Sequence, residues 1–100
     1  MKTEMSNNLL DVVKNLPFNP GVYQFISKED KIIYIGKAKN LRKRVSSYFF
    51  KNHDNRKTEI LVRQINKIRH IVVDNEEYAL ILENSLIKKY QPKYLSLIHI

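Results

Sequence analysis

The chain has 100 residues, 43% of them apolar and 28% charged, with two glycines and three prolines; this is the length of one domain and the balance of a folded chain, not of a disordered tail or a repeat array. Cysteine is absent, which excludes a disulfide scaffold, a thiolate zinc site and a cysteine nucleophile, and points to a reducing, cytoplasmic setting. Lysine and arginine outnumber aspartate and glutamate by 18 to 10, and the net charge of +8 calls for a polyanionic partner, nucleic acid first, unless it merely sits in solvent.

Ser6 to Asn8 can cap a short helix over residues 9 to 16, which Pro17 and Pro20 end. Residues 1 to 16 thus read as a helical extension, and the domain proper as residues 17 to 94. Residues 22 to 27 and 31 to 36 are β-branched and aromatic, and Ser27-Lys28-Glu29-Asp30 between them is a turn signal, so a β-hairpin is predicted. Alternation puts Tyr23 and Phe25 on one face of the first strand, and Ile32, Tyr34 and Gly36 on one face of the second. Asn40 caps a helix over residues 41 to 50, with Leu41, Val45, Tyr48 and Phe49 at helical spacing and Arg42, Lys43 and Arg44 on the other side. Residues 51 to 56 read as a loop.

A second amphipathic helix is predicted over residues 57 to 67 from the stripe Ile60, Leu61, Gln64, Ile65 and Ile68. A third strand follows over residues 70 to 73, and then Asp74-Asn75 cap a helix over residues 76 to 90 that Pro92 ends. The link between the first two strands is too short for a crossover. The expected fold is α+β, a small three-stranded antiparallel sheet flanked by helices. The longest apolar run, Tyr78 to Leu82, has five residues, against the ~20 that cross a bilayer. Glu4, Asn7 and Asn8 interrupt the amino terminus where a signal peptide needs a continuous apolar stretch. No membrane partner and no export are expected.

Glu83 has Ala79, Leu80, Leu86 and Ile87 as its helical neighbours, so its carboxylate projects from an apolar face. It is either a ligand for a divalent cation in a cleft or a boundary glutamate paired with a lysine or arginine. Arg44 and Tyr48 stand one turn apart and can serve a single patch, an arginine fork beside a phenol suited to a phosphodiester; otherwise Arg44 is a solvated cation and Tyr48 is core. Lys37, Lys39, Arg42, Lys43 and Arg44 place five cations in eight residues, a stripe fit for phosphates. Arg56, Lys57, Arg63, Lys67 and Arg69 could extend it. Tyr23 and Tyr34 are strand aromatics that only this company makes candidates. Gly36-Lys37 lacks the rest of a phosphate-binding loop, and His53, His70 and His99 have no mutual ligand spacing.

In order and spacing, Gly21-Val22-Tyr23, Tyr34-Ile35-Gly36-Lys37-Ala38, Arg44, Tyr48 and Glu83 resemble the GIY-YIG nuclease family. Residues 33 to 41 and 82 to 94 are most similar to its bacterial nucleotide-excision-repair branch, and the likeness runs over about residues 16 to 94. The resemblance implies a Mg²⁺- or Mn²⁺-dependent endonuclease that hydrolyses one phosphodiester of damaged double-stranded DNA on the 3′ side of a lesion. Its implied partner is UvrB, loaded by UvrA. It also implies Glu83 as the metal ligand, Tyr34 as the general base on the attacking water, and Tyr23 as a supporting tyrosine. Arg44 then binds the scissile phosphate, Tyr48 lines the same site, and Lys37 contacts a phosphate beside it, with Lys39, Arg42 and Lys43 on the DNA-binding stripe. A phenol near pKa 10 needs cations to become a base, and Lys37, Arg44 and the ion are expected to supply that field. The pattern departs at Leu95, where the family has an asparagine that helps hold the site. Residues 95 to 100 no longer follow it and read as a divergent, non-native tail that impairs activity. The alternatives are a stand-alone GIY-YIG endonuclease and a catalytically inactive basic DNA-binding module.

Overall fold

A computed structural model describes residues 9–50 and 56–94. Residues 9–14 are helical (α1), and the Asn15 backbone N–H and side-chain amide both donate to Asp11 O, closing the turn ahead of Pro17. The expected cap at Ser6 to Asn8 lies outside the described residues. Val13 and Leu16 carry the inner face of this segment into the core.

The sheet consists of β1 (Gly21–Ile26), β2 (Ile32–Ala38) and β3 (Lys67–Val72) in the order β2-β1-β3, antiparallel throughout. The turn between β1 and β2 is closed by Ser27 N–H to Lys31 O and Asp30 N–H to Ser27 O, with Asp30 in the left-handed region at φ 65°, a conformation aspartate tolerates better than most residues. Helix α2 (Leu41–Phe50) has the expected Asn40 cap, whose Oδ1 accepts from Lys43 N–H at 3.0 Å. It is followed by α3 (Arg56–Gln64) and, after β3, by α4 (Glu76–Tyr90). Asn75 caps α4 by accepting from Tyr78 N–H. The helix ends at Gln91, in the left-handed region, whose N–H donates to Ile87 O.

Helices α1, α2 and α3 supply one face of the sheet, where Tyr23, Phe25, Tyr34, Leu41, Val45, Tyr48 and Leu61 form the main core. The other face is covered by α4, with Ala79 against Val22 and Ile35 and with Leu82, Leu86 and Ile87 around them. Three layers result, and β1 is buried along its whole length.

Three expectations are corrected. Ile32 does not share a face with Tyr34 and Gly36. The register slips between Phe25 and Ile26, which pair with Tyr34 and Ile32, so Ile33 is an extra residue. Such a bulge flips the alternation behind it; Ile33 joins the main core and Ile32 packs toward α4. The second predicted helix ends at Gln64 rather than residue 67, because Asn66 N–H donates to Ile26 O at 2.7 Å and the chain is drawn onto the free edge of β1. For the same reason β3 starts at Lys67 and includes Lys67, Ile68 and Arg69. No described helix is long and apolar enough to cross a membrane.

Candidate active site

Tyr23 lies at the middle of the central strand, with none of its surface exposed. Its strand partner is Gly36, and a Cβ at that position would overlap the Tyr23 Cζ and Oη atoms. The bare glycine lets the ring cross β2 and meet α2, where Tyr23 Oη and Tyr48 Oη are 2.9 Å apart in a buried hydrogen bond. The rings of Tyr23, Tyr34 and Tyr48 lie 5.9 to 6.4 Å from one another, with Phe25 beneath them 5.1 Å from Tyr48. The Tyr34 and Tyr48 phenols interact as well.

Arg44 stands one turn before Tyr48 on α2 and is half-buried. Its guanidinium lies 5.6 Å from the centre of the Tyr48 ring and near enough to the Tyr23 hydroxyl for the two to interact. The structure thus brings Tyr23, Tyr34, Arg44 and Tyr48 into one cluster. Glu83, half-buried on α4, is near enough for its charge to act on Tyr34. Leu80, which the sequence placed on the apolar face around Glu83, is 45% exposed, so Glu83 stands at the border of that face rather than within it.

The protein's own groups do not lower the phenols. Burial pushes the Tyr34 phenol well above the ordinary phenol range; the Tyr48 and Glu83 sides add to this, and Arg44 opposes it without prevailing. Tyr23 and Tyr48 are raised for the same first cause, although the Tyr48 bond and Arg44 pull Tyr23 back in part. The protein's own groups therefore hold Tyr34 as a neutral phenol. Lys37, expected to help lower it, pairs with Glu76 at 3.7 Å.

The basic stripe divides. Lys37, Lys39, Lys43 and Arg44 line one open groove of about 470 Å³ beside the tyrosines. Arg42 is not among them: its Nε donates to Leu16 O at 2.6 Å and its guanidinium covers the Phe18 ring at 4.0 Å, so it ties α2 to the segment after α1. At helical spacing, neighbouring residues point about 100° apart, which separates Arg42 from Lys43 and Arg44. Of the possible extensions, Lys67 pairs with Asp30 and Arg63 with Glu59. Sequence reasoning passed over Glu76, the acidic member of the groove; its only advance signal was its place in the first turn of α4.

Glu83 and its surroundings suit one kind of ion. Among the described residues no group of three or more histidine, cysteine, aspartate or glutamate side chains could hold a metal. A single carboxylate serves a hard cation that keeps most of its waters, as Mg²⁺ does, and is a poor site for zinc. Leu95 and the rest of the divergent tail lie outside the described residues.

Comparison with known proteins places this arrangement. The crystal structure of the GIY-YIG N-terminal endonuclease domain of UvrC from Thermotoga maritima, bound to magnesium as its catalytic divalent cation, superimposes with a TM-score of 0.78 at 41% identity, over 87% of this chain and 94% of that one. A tyrosine-to-phenylalanine point mutant of the same domain, also bound to its catalytic divalent cation, superimposes with a TM-score of 0.79. The fold and site are thus of the GIY-YIG endonuclease class. The UvrC-like GIY-YIG domain matches residues 19–95, and the chain belongs to that family. UvrABC system protein C of Porphyromonas gingivalis is 63% identical over 83 residues, and that of Flavobacterium johnsoniae 59% identical over 91. These matches cover 83% and 90% of this chain but only 14% and 15% of the relatives, so the chain spans about one-seventh of their length.

Proposed function

We propose that this domain hydrolyses one phosphodiester of damaged double-stranded DNA on the 3′ side of the lesion, as the endonuclease of a UvrABC-type excision system in the cytoplasm, with UvrB, loaded by UvrA, delivering the substrate. The observation that carries the reading is the buried Tyr23–Tyr48–Arg44 cluster beside Tyr34, with the Glu83 carboxylate close by. Family membership and the metal-bound relative support it.

Arg44 stands beside Tyr23 and the Tyr48 ring and lines the groove. Its guanidinium fork can bind two oxygens of a phosphodiester and offset the charge that builds on them as water attacks. Tyr23 and Tyr48 fix Arg44 and Tyr34 through a network that leaves no described buried side-chain polar atom without a partner. Tyr34, once its own proton has gone to solvent, is the phenolate that would take the proton of the attacking water. Glu83 would hold Mg²⁺ or Mn²⁺, which supplies the positive field that brings water or phenol deprotonation toward neutral pH. Lys37, Lys39 and Lys43 hold the strand along the groove.

The test is incision of a lesion-bearing duplex preloaded with UvrA and UvrB, in Mg²⁺ or Mn²⁺, by the original chain, Glu83→Gln and Leu95→Asn. Cutting by the original chain that Glu83→Gln abolishes, with fold and DNA affinity kept, is expected. Cutting that survives Glu83→Gln removes the metal assignment. Salt-sensitive DNA binding with no cutting by either the original chain or Leu95→Asn replaces the nuclease with a DNA-binding module, and cutting without UvrB indicates a stand-alone endonuclease.

A further inference from the structure

The groove beside the tyrosine cluster contains its own anion. Lys37 leaves the end of β2, Lys39 and Lys43 stand on the connection to α2 and on its first turn, and Arg44 forms the wall shared with the cluster. Opposite them is Glu76 from the first turn of α4, with Oε2 3.7 Å from Lys37 Nζ. Both side chains of this pair are partly open to water, at 36% and 42% exposure. The volume, about 470 Å³, has room for a phosphodiester with its flanking sugars.

The start of α2 offers this groove no backbone donor. Leu41 N–H donates to Asn19 O, Arg42 N–H to Pro17 O, Lys43 N–H to the Asn40 side chain, and Arg44 N–H to Asn40 O. The positive charge offered to an anion here therefore comes from side-chain cations. One of them, Lys37, is already matched to a carboxylate.

We infer that Glu76 is an internal stand-in for a DNA phosphate: it occupies Lys37 in the free protein and is displaced when the phosphate adjoining the scissile one enters the groove. Glu76 thus sets how tightly undamaged DNA is held. A phosphate must break an ion pair to gain Lys37, whereas Lys39 and Lys43 meet it directly. The inference uses the nuclease reading in taking DNA as the polyanion and the Arg44 end of the groove as the scissile end.

The test is binding of a short fluorescein-labelled undamaged DNA duplex, read by anisotropy in EDTA over a range of salt, with a parallel cutting assay in Mg²⁺. Glu76→Gln is expected to tighten binding about two- to fivefold, the scale of one exposed ion pair, and to steepen the loss of affinity with salt. Lys37→Gln and Lys43→Gln weaken it. In the Lys37→Gln background Glu76→Gln has a much smaller effect, the coupling expected if Glu76 acts through Lys37. Unchanged or weaker binding by folded Glu76→Gln overturns the inference, as does an equal gain in both backgrounds, which is a general charge effect. A fall in cutting rate without a gain in affinity also overturns it and makes Glu76 a positioning residue for Lys37. If the original chain binds DNA but does not cut it, the nuclease reading fails while the affinities still decide the role of Glu76. If it binds no DNA at all, the inference fails.

Discussion

Tyr23 crosses the sheet directly over Gly36, and it reaches Tyr48 on α2 only because its strand partner carries no side chain. Two residues far apart in the fold's logic, a strand glycine and a helix tyrosine, are therefore coupled through one ring. Restoring a methyl group tests that coupling. Gly36→Ala is expected to push the Tyr23 ring off Tyr48 and Arg44, to destabilise the fold by about 1–3 kcal/mol as overpacking in a tight core does, and to lower cutting beyond what the stability loss explains. Urea unfolding and incision rates measured on the same preparations check this, and an unchanged incision rate in the folded variant rules out the coupling.

Tyr34→Phe keeps the ring packing against Tyr23, Phe25 and Tyr48 and removes only the hydroxyl. Its DNA affinity and fold are expected to stay near those of the original chain, whereas the incision rate falls at least about 100-fold, the lower range for loss of a positioned acid or base. Single-turnover rates at saturating enzyme separate the two. A variant that cuts at the original rate assigns the proton transfer to another group.

Arg42 is a structural cation in this fold. Arg42→Ala loses the charged hydrogen bond to Leu16 O and the cover over Phe18, and a destabilisation of about 1–3 kcal/mol is expected for a half-buried contact of this kind. Lys43→Ala should leave stability within about 0.5 kcal/mol and weaken DNA binding more than Arg42→Ala does. Thermal melts and anisotropy on the two variants decide it; the reverse ranking returns Arg42 to the DNA-binding stripe.

The tyrosine cluster makes the fold sensitive to alkali. Burial raises all three phenols above the unfolded value, so between the two the folded chain keeps protons that the unfolded chain has lost. The stabilisation is complete below about pH 10, where an unfolded phenol titrates, and falls as pH rises above it. Urea midpoints measured upward from pH 8 should be flat and then drop, with tyrosinate absorbance appearing alongside unfolding. Tyr48→Phe should make the drop shallower, and an equal slope in that variant would take the effect away from the cluster.

Much of this architecture could be read in advance where the cause is local. The hairpin follows from β-branched runs around Ser27 to Asp30, and α2 and α4 begin at asparagine caps whose side-chain bonds are formed by residues three positions on. The motif tyrosines, Arg44 and Glu83 were visible because their order and spacing lie along the chain. The bulge at Ile33 was not, since it is a mismatch between two strands and leaves no mark on either alone. The end of α3 was misplaced because Ile65 and Ile68 fit a helical stripe equally well. The unpaired edge of β1 took that segment once β1 and β2 had formed.

By itself the sequence determined the family, the α+β class, the element order and the candidate residues, because periodicity, caps and motif spacing are properties of contiguous chain. Only the tertiary structure decided which of those residues meet. It joined Tyr23 to Tyr48 across 25 residues of chain, set Arg44 beside them, turned Arg42 away to Leu16, and set Glu76 against Lys37. It also set the Tyr34 phenol high, because burial is a sum over every neighbour in space. Side-chain cations read along the strand cannot reveal how much water the packed layers have removed.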